Sequence, residues 1–140
     1  MECKVKWLGA DGMSFVAETE SGHALVMDGA PEVGGRNMGP RPMETVLVGT
    51  GACTASDVVA ILRKSGQSIS GCDVHLSAER APTDPKVFTK IHMHFVVRGK
   101  GLKPSLVESA IKLSHNKYCS ASIMLAKTAT ISHDYEIVAE

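Results

Sequence analysis

Two cysteines stand in short segments whose composition could support thiol chemistry. Cys53 lies in GTGACTASDVV, residues 49–59, with Asp57 four positions later, and Cys119 lies in KYCSAS, residues 117–122. A thiolate attacks an electrophilic oxygen or sulfur, and a second cysteine can then condense with the oxidised first one into a disulfide. Such a pair would carry out reversible redox chemistry, provided that the fold brings the two sulfurs together.

Cys53 must ionise before it can act as a nucleophile. A free thiol has a pKa of about 8.5, and apolar surroundings raise it. Asp57 shares a helical face with Cys53 and opposes a thiolate when it is ionised, so a nearby cation is required. We favour Arg36 and Arg41, which precede the helix, because a guanidinium binds a carboxylate through two hydrogen bonds. The remaining candidate cations are His23 and Arg80.

Each of these residues also has a purely structural interpretation. Cysteine is often buried as a small apolar side chain, which could be the whole role of Cys53. Asp57 could equally be a buried acid that joins two subunits through an ion pair. Cys3 and Cys72 stand at the starts of predicted strands without comparable neighbours, and we interpret both as structural.

Three histidines fall on adjacent predicted strands. His92 and His94 are two residues apart and share one face, and His75 faces the same side from the neighbouring strand. Three imidazoles could hold a zinc ion. The alternative is a solvated polar sheet face, which fits the absence of a cysteine or acid at tight spacing. We therefore predict neither a metal nor a cofactor.

The elements that must position these residues begin with strands and continue with one long helix. Alternation over residues 5–27 predicts an antiparallel meander, and residues 28–42 form a loop rich in glycine and proline. A helix is predicted over residues 42–64, since it begins at a proline and ends in basic residues before a glycine. Because it is apolar on almost every side, we expect it to be buried in the molecule or in an oligomer, with Gly49 and Gly51 allowing close backbone approach.

The second half of the chain predicts two strands, two helices and a last strand. The strands cover residues 72–80 and 87–99, and the last one covers residues 131–138. One helix runs from Pro104 to about Lys117, and a shorter one begins near Cys119. We find no internal repeat, and the order of elements predicts a single α+β domain over residues 1–140.

Composition restricts the partners and the compartment. The 15 basic and 15 acidic residues cancel without forming a basic run, so we expect neither a nucleic acid nor a membrane as a partner. The opening MECKVKW lacks the apolar stretch of a signal peptide, which predicts a cytoplasmic protein. Its four cysteines are then expected to be reduced thiols, metal ligands or redox-active groups rather than a structural disulfide framework.

The order of elements, together with PMETVLVGTGACTASDVV and KYCSASIMLAKTATISHDYEIV, resembles the OsmC/Ohr family, and most of all its YhfA-type branch. The resemblance covers nearly the whole chain. It implies antiparallel sheets wrapped around a long buried central helix in an intertwined homodimer. It also implies thiol peroxidase chemistry on small organic hydroperoxides, in which Cys53 attacks, Cys119 resolves and an external thiol restores the reduced state.

The chain departs from this family's pattern at two positions. Family peroxidases carry an arginine in the N-terminal strand region, and residues 1–35 contain none. They also carry a glutamate ten residues before the first cysteine, where this chain has Met43. The nearest acid, Glu44, lies nine residues before Cys53, which is roughly opposite it on a helix.

Two functional hypotheses follow from the motifs and the departures. In the first, Cys53 and Cys119 reduce hydroperoxides within a polar surround of Asp57, Glu44 and an arginine. In the second, the chain is a non-peroxidase dimer that keeps the fold and binds a small apolar or thiol-reactive ligand.

Overall fold

All residues from 1 to 140 are described by the computed structural model, which contains six strands and three α-helices. Two small sheets accompany one long central helix, so the predicted α+β class is confirmed. The chain divides into two compact units, Met1–Leu47 and Val48–Glu140. A single domain over the whole chain stays a prediction.

The first unit contains the antiparallel meander that the N-terminal alternation predicts. Strands β1 (Cys3–Trp7), β2 (Phe15–Thr19) and β3 (Ala24–Met27) pair in the order β1-β2-β3. Every residue of β1 is exposed, and the side chains of Val5 and Trp7 keep 58% and 53% of their surface accessible. This small sheet therefore leaves apolar side chains uncovered within the chain.

The loop after β3 is organised around the carboxylate of Asp28, which is 1% exposed. Its Oδ1 accepts the N–H of Gly29 at 2.7 Å, and its Oδ2 accepts those of Arg36 at 3.2 Å and Met38 at 3.1 Å. Burial alone would raise the pKa of this carboxyl. The backbone N–H groups and the Ser14 hydroxyl outweigh burial and hold the pKa below its usual 3.8.

Helix α1 (Pro42–Lys64) has the predicted bounds, because both of its ends are capped. At the start, Glu44 Oε1 accepts the N–H of Arg41 at 2.9 Å, which satisfies a donor left free at the helix N-terminus. At the other end, Gly66 has a φ of +75° and donates its N–H to the Arg63 carbonyl at 3.0 Å. The prediction of one helix over residues 42–64 is confirmed.

The apolar surface of α1 is only partly covered within the chain. By length and composition alone α1 could cross a bilayer, since its mean hydropathy is 1.6 over a stretch that is 28% buried. Core helices of soluble proteins also meet that criterion.

The prediction that Gly49 and Gly51 both allow close backbone approach is half right. A Cβ on Gly51 would lie 2.6 Å from Leu76 Cδ1, so this position is closely packed, whereas Gly49 faces open space. The buried residues are Thr50, Gly51, Thr54, Val58 and Leu62.

The second unit contains a three-stranded sheet in which the last strand runs parallel to its neighbour. Strands β4 (Ser68–Arg80) and β5 (Phe88–Lys100) are antiparallel, and β6 (Thr130–Ala139) pairs with β5 in parallel. Strand β4 begins four residues before its predicted start, and β5 is displaced by one residue from its predicted bounds. A parallel pair needs a long crossover. Helices α2 (Pro104–Leu113) and α3 (Ser120–Leu125) lie within it.

The buried core lies in the second unit, on the apolar face of β5. Alternation along β5 is confirmed, since Ile91, Met93, Phe95 and Val97 are at most 3% exposed while His92 and His94 are half-buried. The helices contribute further fully buried side chains. These are Val58 and Leu62 of α1 and Val107, Ala110 and Ile111 of α2.

We predict that Asp28→Asn loosens the loop after β3, because asparagine offers one acceptor oxygen and no charge to the three backbone N–H groups. Limited proteolysis should cut residues 29–41 faster in the variant. The folded pKa of Asp28 lies below its usual 3.8, so its contribution to stability is present above that pH and disappears as pH falls through the folded pKa. The difference in Tm between wild type and variant should shrink over that range.

The matched control is Asp11→Asn, because Asp11 is exposed in the turn between β1 and β2. A control that loosens the loop as much as Asp28→Asn would contradict the role of Asp28.

Candidate active site

The segment before Cys119 forms a π-helical turn rather than a continuation of α2. The predicted helix to Lys117 is wrong, because α2 ends at Leu113 and a π turn occupies Ser114–Tyr118. The turn closes where the N–H of Cys119 donates to the Ser114 carbonyl at 2.8 Å. Cys119 then caps the N-terminus of α3, as predicted from the sequence. Single π turns of this kind are frequent at functional sites.

The structure brings Cys53 and Cys119 together. The two side chains are close enough for Cys53 to raise the pKa of the Cys119 thiol. Both cysteines are free thiols. Cys119 is 0% exposed, and Cys53 is half-buried on α1. A solvent-borne reagent therefore has access to Cys53 but not to Cys119.

The environment of Cys119 favours its neutral thiol. Burial, the largest influence, raises the pKa of Cys119 above its usual 9.0, and the neighbouring Cys53 raises it further. The Ser122 hydroxyl and the Ser122 N–H act in the opposite direction. The N–H donates to Cys119 Sγ at 3.4 Å, whereas Ser122 Oγ is buried and makes no hydrogen bond of ordinary geometry.

A chain of hydroxyl groups links α1 to the π turn. Ser114 Oγ donates to Asp57 Oδ2 at 2.9 Å and lies 2.9 Å from Thr54 Oγ1. Because Ser114 has a single hydroxyl proton, Thr54 is the donor in the second bond. Asp57 and Cys53 are one turn apart on α1, and both meet the segment from Ser114 to Cys119. Asp57 is thus held by a hydroxyl, where a cation had been expected from the sequence.

The other three predicted site residues lie in the first unit and are engaged there. The backbone N–H of Arg36 donates to Asp28. The Arg41 guanidinium donates to Asn37 Oδ1 at 2.9 Å and to the Gly39 carbonyl at 3.2 Å. Glu44 accepts the Arg41 N–H in the helix cap described above. Neither guanidinium takes part in an ion pair, and their action on Cys53 stays a prediction.

An open cleft of about 950 Å³ adjoins the hydroxyl chain in the second unit. Its apolar lining includes Ile61, Leu113 and Tyr118, and its charged lining includes Asp57 and Arg63. A compact organic molecule of mixed polarity fits a lining of this kind.

The histidines of the second sheet surround Asp134. Its Oδ1 lies 2.9 Å from His92 Nε2 and 2.8 Å from His94 Nδ1, and His92 Nδ1 bonds to Ser132 Oγ at 2.7 Å. The hydrogen bond from His94 is the main influence that holds the pKa of Asp134 below 3.8. The His75 ring centroid is 6.3 Å from that of His94. No group of three or more His, Cys, Asp or Glu side chains could hold a metal ion, which leaves the zinc interpretation without a site.

The remaining cysteines lie apart from this pair. Cys3 is exposed at the start of β1, as expected, whereas Cys72 lies inside β4 because that strand begins earlier than predicted, at Ser68. Burial, together with the charge of Asp73, raises the pKa of Cys72 above 9.0.

Sequence reasoning missed the three hydroxyl residues of the site, Thr54, Ser114 and Ser122. All three are at most 2% exposed. A signal was present, because each stands within five residues of Cys53 or Cys119. Serine and threonine are so common in helices, however, that only burial distinguishes these three.

The chain is similar to known proteins over nearly its whole length. The family model described as OsmC-like protein matches residues 34–134. Protein YhfA of Escherichia coli strain K12 is 44% identical over 139 residues, which are 99% of each chain. A solved structure of a hypothetical protein from Aquifex aeolicus VF5 is 27% identical, with a TM-score of 0.85 over 99% of this chain and 96% of that one.

A more distant solved structure is the organic hydroperoxide resistance protein OsmC of Legionella pneumophila. It is 18% identical, with a TM-score of 0.67 over 96% of this chain and 95% of that one. At this level of identity the similarity concerns the fold alone.

We predict that Ser114→Ala lowers the free energy of unfolding by about 1–3 kcal/mol, because the half-buried Asp57 loses its hydroxyl donor. Denaturant titration measures this loss. Ser109→Ala, an exposed serine on α2, is the control and should change stability by less than about 0.5 kcal/mol. Equal effects of the two substitutions would contradict the structural role of the hydroxyl chain.

Proposed function

Since this chain belongs to the OsmC-like protein family, we propose that it is a thiol-dependent reductase of small organic hydroperoxides. The observation that carries the proposal is the contact between two free cysteines, Cys53 and Cys119. The name of the Legionella pneumophila protein, which refers to organic hydroperoxide resistance, agrees with it. The proposal treats residues 1–140 as one OsmC-like domain.

The reaction begins with Cys53. Its thiolate attacks the terminal oxygen of the hydroperoxide, an S–O bond forms, the O–O bond breaks, and the alcohol leaves with a proton. The Cys53 sulfenic acid is then attacked by Cys119, which forms the disulfide and releases water. An external thiol reduces the disulfide, so the cycle needs no cofactor.

The attacking and resolving roles are assigned from the difference in solvent exposure between Cys53 and Cys119. Cys119 is fully buried, and burial raises its thiol pKa, so it offers a hydroperoxide neither access nor a ready thiolate. Cys53 is half-buried on α1 and has access to solvent. Cys53 is therefore the attacking thiol and Cys119 the resolving one.

The proposed site also includes a polar surround of Cys53. Asp57 lies one helical turn from Cys53, and its negative charge opposes a thiolate. A cation must offset it, and Arg36 and Arg41 are our candidates because neither guanidinium is bound to a carboxylate. Glu44 completes the surround by capping the helix that carries Cys53.

We also propose a compartment and an assembly for this protein. Four free cysteines fit a cytoplasmic protein, where thiols are kept reduced. We infer a homodimer because apolar side chains remain exposed on β1 and along α1. On the open side of α1, Ala52, Ser56 and Ala60 line a shallow groove whose small side chains allow a second helix to approach closely.

We predict that an organic hydroperoxide converts the protein to a Cys53–Cys119 disulfide, which mass spectrometry of digested protein detects. Cys53→Ser should abolish peroxide consumption, whereas Cys119→Ser should leave a Cys53 sulfenic acid that a dione reagent traps. Cys3→Ser and Cys72→Ser are the controls and should leave consumption unchanged. Free and unmodified Cys53 and Cys119 after excess hydroperoxide would contradict the proposal.

The second candidate function is a non-peroxidase dimer that binds a small apolar or thiol-reactive ligand. The cleft of about 950 Å³ beside Asp57 favours it. A thermal-shift screen of lipophilic acids and aldehydes separates the two functions. Stabilisation by such compounds, with peroxide consumption at background, would support ligand binding in place of catalysis.

We predict that light scattering gives a mass of twice the 14.9 kDa chain. Ser56→Arg should weaken the dimer, because it places a long charged side chain in the groove of small residues on α1. Ser109→Arg, on the exposed side of α2, is the matched control. A wild-type mass of a single chain would contradict the assembly.

A further inference from the structure

One buried hydroxyl makes no hydrogen bond of ordinary geometry in the resting structure. It is Ser122 Oγ, and the residue is 1% exposed. Buried polar groups are nearly always paired, because an unpaired donor loses its bonds to water without replacement. An orphaned hydroxyl beside a reactive group therefore indicates a partner that arises in another chemical state.

The position of Ser122 identifies that partner. Ser122 is the third residue of α3, and its backbone N–H already donates to Cys119 Sγ at 3.4 Å. The hydroxyl of the same residue also lies near this sulfur, because it lowers the pKa of the Cys119 thiol. A neutral thiol is a weak acceptor, whereas a charged acceptor forms much stronger hydrogen bonds. Ionisation of Cys119 turns its sulfur into a strong acceptor for this hydroxyl.

We propose that the Ser122 hydroxyl is the hydrogen-bond donor that stabilises the Cys119 thiolate while the Cys53–Cys119 disulfide forms. This role of Ser122 rests on the proposed function, because disulfide formation is a step of the proposed peroxidase cycle. Ser122 touches a reacting atom, and its hydroxyl and backbone N–H form a two-donor site for a single sulfur anion.

Ser122 acts in the step that forms the disulfide from the Cys119 thiol and the Cys53 sulfenic acid. Cys119 loses its proton, and its thiolate attacks the sulfur of the Cys53 sulfenic acid formed by the organic hydroperoxide. The S–S bond forms, the S–O bond of Cys53 breaks, and the departing hydroxide takes up a proton to become water. Cys119 is oxidised and the sulfenic sulfur is reduced, so no further oxidant is needed.

The groups that face Cys119 make a donor necessary. Cys53 on α1 raises the pKa of Cys119 in addition to the effect of burial. No cation is among the influences on the Cys119 pKa. Ser122 supplies the donors that favour the charged form.

The test uses full-length protein with Cys3→Ser and Cys72→Ser, which leaves only the pair. After one equivalent of organic hydroperoxide, rapid quenching and mass spectrometry follow the Cys53 sulfenic acid and the disulfide separately. In Ser122→Ala the sulfenic acid should form at the unchanged rate, while disulfide formation at neutral pH slows roughly tenfold and its pH profile moves to higher pH. Ser122→Thr, which keeps the hydroxyl, should restore most of the rate.

The matched control is Ser120→Ala, an exposed serine on the first turn of the same helix. A merely structural role is distinguished by thermal unfolding. Removing an orphaned hydroxyl should leave Tm unchanged or raise it, so slower disulfide formation without a fall in Tm supports the donor role. Disulfide formation as fast in Ser122→Ala as in Ser120→Ala would overturn it.

A second measurement does not depend on peroxidase activity. In protein whose only cysteine is Cys119, the ultraviolet absorbance of the thiolate is titrated against pH. Ser122→Ala should move this titration to higher pH. If it does and no disulfide forms with hydroperoxide, the proposed function fails and the donor assignment stands. If the titration does not move, the donor assignment is wrong whether or not peroxide is consumed.

Discussion

The geometry of the cysteine site depends on Ser114. Its hydroxyl binds Asp57 and Thr54 on α1, while its carbonyl accepts the N–H of Cys119. One residue thereby fixes the helix that carries Cys53 against the turn that presents Cys119. The π turn is what makes this possible, because its five-residue closure leaves the Ser114 side chain facing α1 and places Cys119 at the start of the next helix.

Burial at this site brings Cys119 next to Cys53, but it also disfavours ionisation of the Cys119 thiol. Cys119 is fully buried next to Cys53, and these surroundings of low polarity disfavour its thiolate. The surrounding side chains offset this with neutral donors rather than with a cation. Hydroxyl groups suit such a position because they can donate or accept and carry no charge that must itself be desolvated.

Several features of the fold were predictable from local patterns, and others were not. The bounds of α1 followed from Pro42 and Gly66, whose effects on the backbone are local. The parallel pairing of β6 with β5 could not be read from the chain, because alternation reports which face is buried and not which way the neighbouring strand runs. The π turn was missed for a related reason: residues 114–118 contain no glycine or proline that would mark the end of α2.

By itself, the sequence identified the candidates for the proposed chemistry, since Cys53, Asp57 and Cys119 were recognisable from residue type and spacing. The four-residue spacing on one helix also determined that Cys53 and Asp57 share a face. Only the tertiary structure decided that this face meets Ser114 and Cys119, and that the partner of Asp57 is a hydroxyl. Burial was decided there too, and burial is what distinguishes Ser114 and Ser122 from any other serine, because the free energy of an unpaired polar group depends on whether water can reach it.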